Sequence, residues 1–128
     1  MNEAELLFSR MLKCDRMSLY LKRKIKLGAE RGAFASLVLK KRISGYPLQY
    51  ILGKADFFGI DFLVNESVLI PRPETEILVE YLVNRFSGFK RAEVLDIGAG
   101  SGCIAISLVK ALPGARVLAS DKSRAALK

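Results

Sequence analysis

The stretch that decides the fold runs from residue 93 to residue 121 and reads EVLDIGAGSGCIAISLVKALPGARVLASD. It contains three apolar runs separated by turns, at residues 94–97, 103–112 and 115–120. The first and last runs have the length of strands, and the middle one has the length of a helix. Strand, glycine turn, helix and strand in this order form a βαβ unit, which predicts two parallel strands joined by a right-handed crossover. Residues 122–128 are predicted to begin a further helix.

The glycine turn at residues 98–102 is predicted to be a ligand-binding loop. Gly98, Gly100 and Gly102 let the backbone approach a ligand where any side chain would collide. The turn also places backbone N–H groups at the start of the following helix. Asp121, which ends the next strand 21 positions after Gly100, would accept both hydroxyls of an adenosine ribose. The plainer alternative is a tight turn followed by a solvated aspartate.

The spacing of the glycines separates two kinds of nucleotide site. A dinucleotide fingerprint, Gly-x-Gly-x-x-Gly/Ala, would place its third small residue at Cys103. The turn reads Gly-x-Gly-x-Gly instead, and Asp96 lies two residues before the first glycine. A nicotinamide-dependent dehydrogenase therefore remains an alternative that fits the turn less well. Cys103 is expected to be a small packing residue, although a thiol that opens a helix can have a lowered pKa.

The chain before the turn changes from helical to extended periodicity. Residues 1–53 carry apolar residues at helical spacing and predict a small helical unit. Residues 54–72 contain two β-favouring runs on either side of Gly59, which predict a hairpin. Pro73 suits the first turn of a helix that ends before residue 87. The hairpin core is predicted to hold Phe57, Phe58 and Phe62, and the apolar face of the helix Ile77, Leu78, Tyr81, Leu82 and Phe86.

Charge is unevenly distributed along the 128 residues. Lysine and arginine number 21 against 13 aspartates and glutamates, a net charge of +8. Residues 1–53 hold 11 basic and 4 acidic side chains, so +7 of this excess belongs to the helical unit. Such a field attracts phosphates or acidic partners, and the plainer alternative is a solvated helix face. The basic run at 22–26 contains no aromatic residue, so direct nucleic-acid readout is not expected.

Histidine and cysteine usage excludes several classes of chemistry. The chain has no histidine, which removes Ser-His-Asp and Cys-His catalysis and argues against a catalytic zinc. Cys14 and Cys103 are too few and too distant for a disulfide framework or a metal cluster, so no metal site is expected. Unpaired cysteines indicate the cytoplasm. The acidic start is unlike a signal peptide, and no apolar run approaches about 20 residues, so no membrane partner is expected.

The glycine turn and its flanking aspartates resemble motif I of class I S-adenosylmethionine-dependent methyltransferases. In that family the turn cradles the methionine and adenosine parts of S-adenosyl-L-methionine. By this resemblance Asp121 matches the ribose-binding acid, and Asp96 matches the motif I acid, which partly holds the loop. The cofactor-binding residues that the resemblance implies are Asp96, Gly98, Ala99, Gly100, Ser101, Gly102 and Asp121.

Three further stretches resemble consecutive signatures of one family, the peptide chain release factor glutamine N5-methyltransferases of bacteria and organelles. They are Pro47-Leu48-Gln49-Tyr50-Ile51-Leu52-Gly53, Phe57-Phe58-Gly59 and Leu69-Ile70-Pro71-Arg72-Pro73-Glu74-Thr75-Glu76. The block at 71–76 is the most specific, and it differs in the related ribosomal-protein glutamine methyltransferase. The resemblance implies that Arg72 and Glu74 line the entrance to the reaction centre. Their alternative roles are an extended spacer and a partner of the helix dipole.

The resemblance implies an architecture and an activity. Family members have a small helical domain that helps dock the release factor, a β-hairpin linker and a methyltransferase domain. They transfer a methyl group from S-adenosyl-L-methionine to the side-chain amide nitrogen of the glutamine in the Gly-Gly-Gln motif of class 1 release factors. The predicted fold class is α+β, with a small helical domain, a hairpin linker and the start (βαβ) of a Rossmann-like α/β domain. The predicted boundaries are 1–53, 54–72 and 73–128.

One family motif has no counterpart in these 128 residues. Family members use an Asn-Pro-Pro-Tyr segment to accept the N–H groups of the target amide, and no Asn-Pro occurs here. We therefore expect a truncated methyltransferase domain that is inactive alone, and no catalytic residue is assigned. Two other functions stay open. One is methylation of a ribosomal protein, and the other is a non-catalytic basic module that binds a release factor or the ribosome.

Overall fold

A computed structural model describes residues 2–21, 24–89 and 91–127. Contacts divide the chain into two units, Met1–Leu52 and Gly53–Lys128. The first unit contains α1 (Glu3–Leu12), α2 (Arg16–Leu21), α3 (Ala29–Ile43) and α4 (Leu48–Leu52). The second contains β1 (Lys54–Phe57), β2 (Ile60–Leu63), α5 (Pro73–Phe86), β3 (Ala92–Ile97), α6 (Cys103–Ala111) and β4 (Ala115–Ser120).

The first unit is helical, as the sequence predicts. Helix α1 begins with a capping box in which the Asn2 side chain accepts the Glu5 N–H and the Glu5 carboxylate accepts the Asn2 N–H. Leu7, Val38 and Leu48 form a buried hydrophobic cluster in this first unit. Val38 is the buried residue of the 15-residue α3, so most of that helix is exposed. The predicted basic run begins at residues 22 and 23, which lie outside the described residues.

The second unit opens with the predicted hairpin. Strands β1 and β2 pair antiparallel, and Phe57 lies opposite Ile60. The two residues between the strands, Phe58 and Gly59, have φ values of +52° and +70°, as a type I′ turn requires. Phe57 and Phe62 are buried edge to face with ring centroids 6.0 Å apart, and Phe58 packs partly buried against the same core. The predicted core role of all three phenylalanines is confirmed.

The βαβ unit is present, with β3 and β4 paired in parallel over their whole length, from Ala92 opposite Ala115 to Ile97 opposite Ser120. The hairpin shares one core with α5 and α6, formed by Phe57, Phe62, Val79, Leu108 and Leu112. The predicted fold class, a helical unit, a hairpin and a Rossmann-like βαβ start, is confirmed. The contacts place the hairpin in the same unit as residues 73–128, and the three predicted domain boundaries stay predictions.

Two local predictions are wrong. Helix α5 has the predicted bounds, but Ile77, Leu78 and Tyr81 are exposed, whereas Val79 is fully buried. Only Leu82 and Phe86 of the predicted apolar face pack against the core. Residues 124–127 form a turn where a helix was expected. In the described part of the chain, no helix is long and apolar enough to span a membrane.

Candidate functional site

The glycine turn lies where the carboxyl ends of β3 and β4 meet. Gly98, Gly100 and Gly102 have φ values of +82°, +55° and +73°. Residues with a side chain pay roughly 1–2 kcal/mol in this left-handed region, whereas glycine does not. The alternating glycines are therefore required by the path of the backbone. Asp96, at the end of β3, and Asp121, just after β4, flank this turn.

Most N–H groups of the turn donate within the protein. The Ser120 carbonyl accepts from Gly98 N at 2.8 Å and from Ala99 N at 2.9 Å. Gly102 N donates to the Ala99 carbonyl at 2.8 Å, and Gly100 N donates to Asp121 Oδ2 at 2.8 Å. Four of the five N–H groups of residues 98–102 are thus committed. A phosphate-cradling loop instead directs such groups to its ligand, so the dinucleotide alternative fits poorly.

The start of helix α6 is different from the turn. Gly102 is its N-cap residue and provides no side-chain hydrogen bond to the first helical turn. The N-terminal end of a helix carries partial positive charge. The sequence predicts that backbone N–H groups are exposed at the start of this helix, where a carboxylate would be stabilised. That prediction concerns α6 and stays a prediction.

Asp121 is an acceptor for two separate backbone segments. Its Oδ2 accepts the Gly100 N–H at 2.8 Å, and its Oδ1 accepts the Ser123 N–H at 2.8 Å. These donors, first that of Ser123 and then that of Gly100, lower the pKa of the Asp121 carboxyl below its ordinary value. Each carboxylate oxygen has a second lone pair, so Asp121 can still accept hydroxyl groups.

Asp96 presents an unpaired acceptor beside the turn. Its Oδ2 atom is buried, and no hydrogen-bond partner for it exists among the described residues. Burying a carboxylate oxygen without a donor is costly, so this position suits a ligand that brings an N–H or ammonium group.

The glycines differ in what surrounds them. A Cβ atom built on Gly98 or Gly100 meets nothing within 4 Å, so both face open space. A Cβ atom on Gly102 would lie 3.3 Å from Ile106 Cδ1. Gly98 and Gly100 therefore leave open space beside the turn. Gly102 differs from them, because the absence of its Cβ lets α6 begin close to the turn. Ala99 and Ser101 lie half-buried between the three glycines.

Arg72 and Glu74 lie outside this cluster. Both side chains are exposed at the beginning of α5. Arg72 is the N-cap residue, and its carbonyl accepts the Thr75 N–H at 3.0 Å. Within residues 24–89 and 91–127, neither side chain forms a hydrogen bond or ion pair with the turn. Their place at the entrance to a reaction centre remains a prediction.

Glu76 has a role that sequence reasoning missed. Its Oε1 atom accepts the N–H of Phe58 at 2.9 Å, and Phe58 has a positive φ. This bond joins two of the stretches that carry the family resemblance, the Phe-Phe-Gly turn and the block at 71–76. Each of the two stretches is recognisable in the sequence. Nothing in the sequence indicates, however, that Phe58 and Glu76, which are 18 residues apart, form a hydrogen bond.

Cys103 shows no sign of activation. The thiol is half-buried at the start of α6, and burial raises its pKa above the ordinary value. This agrees with the packing role expected from the sequence. Among the residues that the structure describes, no cluster of cysteine, aspartate and glutamate side chains could hold a metal ion.

Comparisons with known proteins agree with this geometry. A family model described as "PrmC N-terminal domain" matches residues 1–53, and one described as "Methyltransferase small domain" matches residues 73–128. A "Release factor glutamine methyltransferase" of Chlorobaculum tepidum is 46% identical over 129 residues, which cover 97% of this chain and 44% of the relative. One of Koribacter versatilis is 46% identical over 98% of this chain and 45% of the relative. A third, of Flavobacterium psychrophilum, is 58% identical over 63% of this chain and 30% of the relative.

The chain thus spans about half the length of the curated relatives that it matches over nearly its whole sequence. The matches cover both the helical unit and the βαβ unit with its glycine turn. On these grounds the chain belongs to the release factor glutamine methyltransferase family.

Proposed function

We propose that this chain contributes the cofactor turn and the docking unit of an enzyme that methylates class 1 peptide chain release factors. The methyl group passes from S-adenosyl-L-methionine to the side-chain amide nitrogen of the glutamine in the Gly-Gly-Gln motif. The observation that carries the proposal is the glycine turn held on Asp121, with the unpaired oxygen of Asp96 beside it. The names of the relatives support the substrate class.

The residues of the turn fit this cofactor. Asp121 would accept the ribose hydroxyls, and Asp96 would accept the ammonium group of the methionine part. Gly98 and Gly100 would let the cofactor lie against the backbone, since no side chain occupies that space. The uncapped first turn of α6 would stabilise the cofactor's carboxylate. When bound, the cofactor supplies an electrophilic methyl group on a sulfonium.

Methylation of the target glutamine would also require groups that accept the N–H bonds of its amide. Its amide nitrogen is a weak nucleophile and would have to lose one proton on receiving a methyl group from the bound cofactor, whose sulfur would be the leaving group. The protein's share is to orient the weakly nucleophilic amide and exclude water. No Asn-Pro occurs in these 128 residues, and no catalytic residue is assigned. We therefore propose that the chain alone does not transfer the methyl group.

The helical unit is proposed to dock the release factor. Residues 1–53 carry a net charge of +7. Helix α3 exposes Lys40 and Lys41 together with Leu39 and Ile43. A mixed basic and apolar surface suits a protein partner with acidic side chains. The same surface supports the second candidate function, a non-catalytic module that binds the release factor or the ribosome. The cytoplasmic location stays a prediction.

Two measurements test the proposal. Calorimetric titration with S-adenosyl-L-methionine should show only weak binding to the 128-residue chain, which Asp121→Ala removes, and NAD should not bind. Transfer of a tritiated methyl group should be tested with a class 1 release factor, with its Gly-Gly-Gln→Gly-Gly-Ala variant and with ribosomal proteins, using the Chlorobaculum tepidum relative as positive control. Preferential binding of NAD, or no binding of S-adenosyl-L-methionine, would contradict the cofactor assignment. Transfer by the chain alone would contradict its proposed inactivity.

A further inference from the structure

We propose that Asp121 is a positioning residue that sets the shape of the glycine turn before any ligand binds. Its carboxylate joins Gly100, in the turn, to Ser123, after β4, through two hydrogen bonds of 2.8 Å. The consequence for cofactor binding rests on the proposed function, whereas the effect on the turn does not.

The last residue of β4 and the residue after it accept three successive N–H groups of the turn. The Ser120 carbonyl accepts those of Gly98 and Ala99, and the Asp121 side chain accepts that of Gly100. The first two contacts are made by the backbone and are available to any residue at position 120. The third depends on the side chain at position 121. Asp121 is thus the residue after β4 whose side chain controls the conformation of the turn.

Gly100 is the residue that most needs this control. It is the middle glycine of the turn, at φ +55°, and a Cβ atom there would meet nothing within 4 Å. Glycine has the largest backbone freedom, so an unrestrained Gly100 would sample many conformations. The hydrogen bond to Asp121 restricts it, and the turn therefore needs less ordering when a ligand binds.

The two hydrogen bonds require two acceptor oxygens at position 121. Both oxygens of Asp121 accept N–H groups. Asparagine has one acceptor oxygen, and its NH₂ group would face a backbone donor, so Asp121→Asn must lose at least one of the two bonds. Asp121→Ala loses both. These substitutions therefore change the turn as well as any ribose contact.

Amide hydrogen exchange on the ligand-free 128-residue chain tests this directly. We expect the Gly100 N–H to exchange about 10- to 100-fold faster in Asp121→Ala, the range for loss of a hydrogen bond to a charged acceptor. Exchange of the β3 amides should be unchanged, which shows that the unit remains folded. Glu80→Ala is the matched control, because Glu80 is an exposed carboxylate on α5. Gly100 exchange within about threefold of the wild-type rate in a folded Asp121→Ala overturns the proposal.

The wild-type chain provides a second measurement in case the variants do not fold. A through-hydrogen-bond scalar coupling between Gly100 ¹⁵N and Asp121 ¹³Cγ is expected, and its absence overturns the proposal.

A pair of ligands then separates the positioning role of Asp121 from ribose binding. Asp121→Ala should weaken binding of S-adenosylhomocysteine and also, by at least about fivefold, of its 2′,3′-dideoxy analogue. Unchanged affinity for the analogue assigns Asp121 to ribose binding alone and overturns the positioning role.

The outcomes for the two proposals are distinguishable. If protection of the Gly100 N–H from exchange depends on Asp121 but neither S-adenosyl-L-methionine nor S-adenosylhomocysteine binds, the positioning role stands and the proposed function fails. If S-adenosyl-L-methionine binds while Gly100 exchange is indifferent to Asp121, the proposed function stands and the positioning role fails.

Discussion

Replacing Glu76 by alanine is expected to destabilise the second unit by removing the acceptor of the Phe58 N–H. Phe58 holds a left-handed conformation, at φ +52°, which costs a non-glycine residue roughly 1–2 kcal/mol. Its N–H donates to Glu76 Oε1 at 2.9 Å. The bond to Glu76 helps the hairpin tolerate this conformation.

The magnitude follows from the type of bond and its exposure. A hydrogen bond to a charged group contributes about 1.5–3 kcal/mol, and Glu76 is only half-buried, so we take the lower part of that range. Loss of a carboxylate near the start of α5 adds a few tenths of a kcal/mol through the helix dipole. Glu76→Ala should lower the free energy of unfolding by about 1–2 kcal/mol. Glu76→Gln, which keeps an acceptor but loses the charge, should cost about half as much.

Glu74→Ala is the matched control for this substitution. Glu74 is also a carboxylate in the first turn of α5, but its side chain is exposed. Urea unfolding followed by hydrogen exchange of the α5 and hairpin amides reports on this unit, since the chain has no tryptophan to serve as a fluorescence probe. If Glu76→Ala is no more destabilising than Glu74→Ala, and the Phe58 amide stays protected, the hydrogen bond does not stabilise the hairpin.

Three further predictions concern the second unit. Gly102→Ala should lower the free energy of unfolding in urea more than Gly100→Ala does. Both positions need a positive φ, but only a Cβ at 102 meets a side chain, at 3.3 Å. Equal losses of unfolding free energy would contradict this. Two backbone donors lower the pKa of Asp121, so its stabilising contribution is present above the ordinary value of 3.8 and is lost as the pH falls through the lower folded value. Unfolding of Asp121→Asn should therefore depend less on pH below about 4 than that of the wild type, and identical pH profiles would refute this. Phe57→Ala should cost about 3–5 kcal/mol and Leu95→Ala under about 0.5 kcal/mol, because Phe57 is fully buried and Leu95 is 58% exposed.

The order of elements was predictable because it depends on local signals. Proline at the first position of α5, alternating glycines after β3 and the Phe-Gly turn each act within a few residues. The buried face of α5 was not predictable in the same way. Ile77 is 67% exposed and Val79 is fully buried, although both are apolar, because the position of the hairpin core decides which face packs. Helical periodicity gives the spacing of an apolar face but not its direction when apolar residues extend around the helix.

The candidate site shows the same division between local and tertiary causes. Its residues were found from their types and order, since glycines and acids have recognisable roles at the end of a strand. The hydrogen bonds that Asp121 and Glu76 form were not found, because each joins segments 21 or 18 residues apart through a register that only the folded unit defines. Both side chains satisfy backbone N–H groups of residues with positive φ, Gly100 and Phe58.

The direction of the N–H groups links the glycine spacing to the kind of ligand. With glycines at 98, 100 and 102, the turn folds back on the end of β4, and the Ser120 carbonyl and the Asp121 carboxylate take the donors of residues 98–100. A ligand at this turn then meets open space above two glycines, one unpaired oxygen of Asp96 and a single uncapped helix end. This set favours a compact zwitterion carrying a nucleoside over a diphosphate, which would need several donors at once. A turn with its third glycine at position 102 rather than 103 thus goes together with N–H groups that are mostly bonded within the protein.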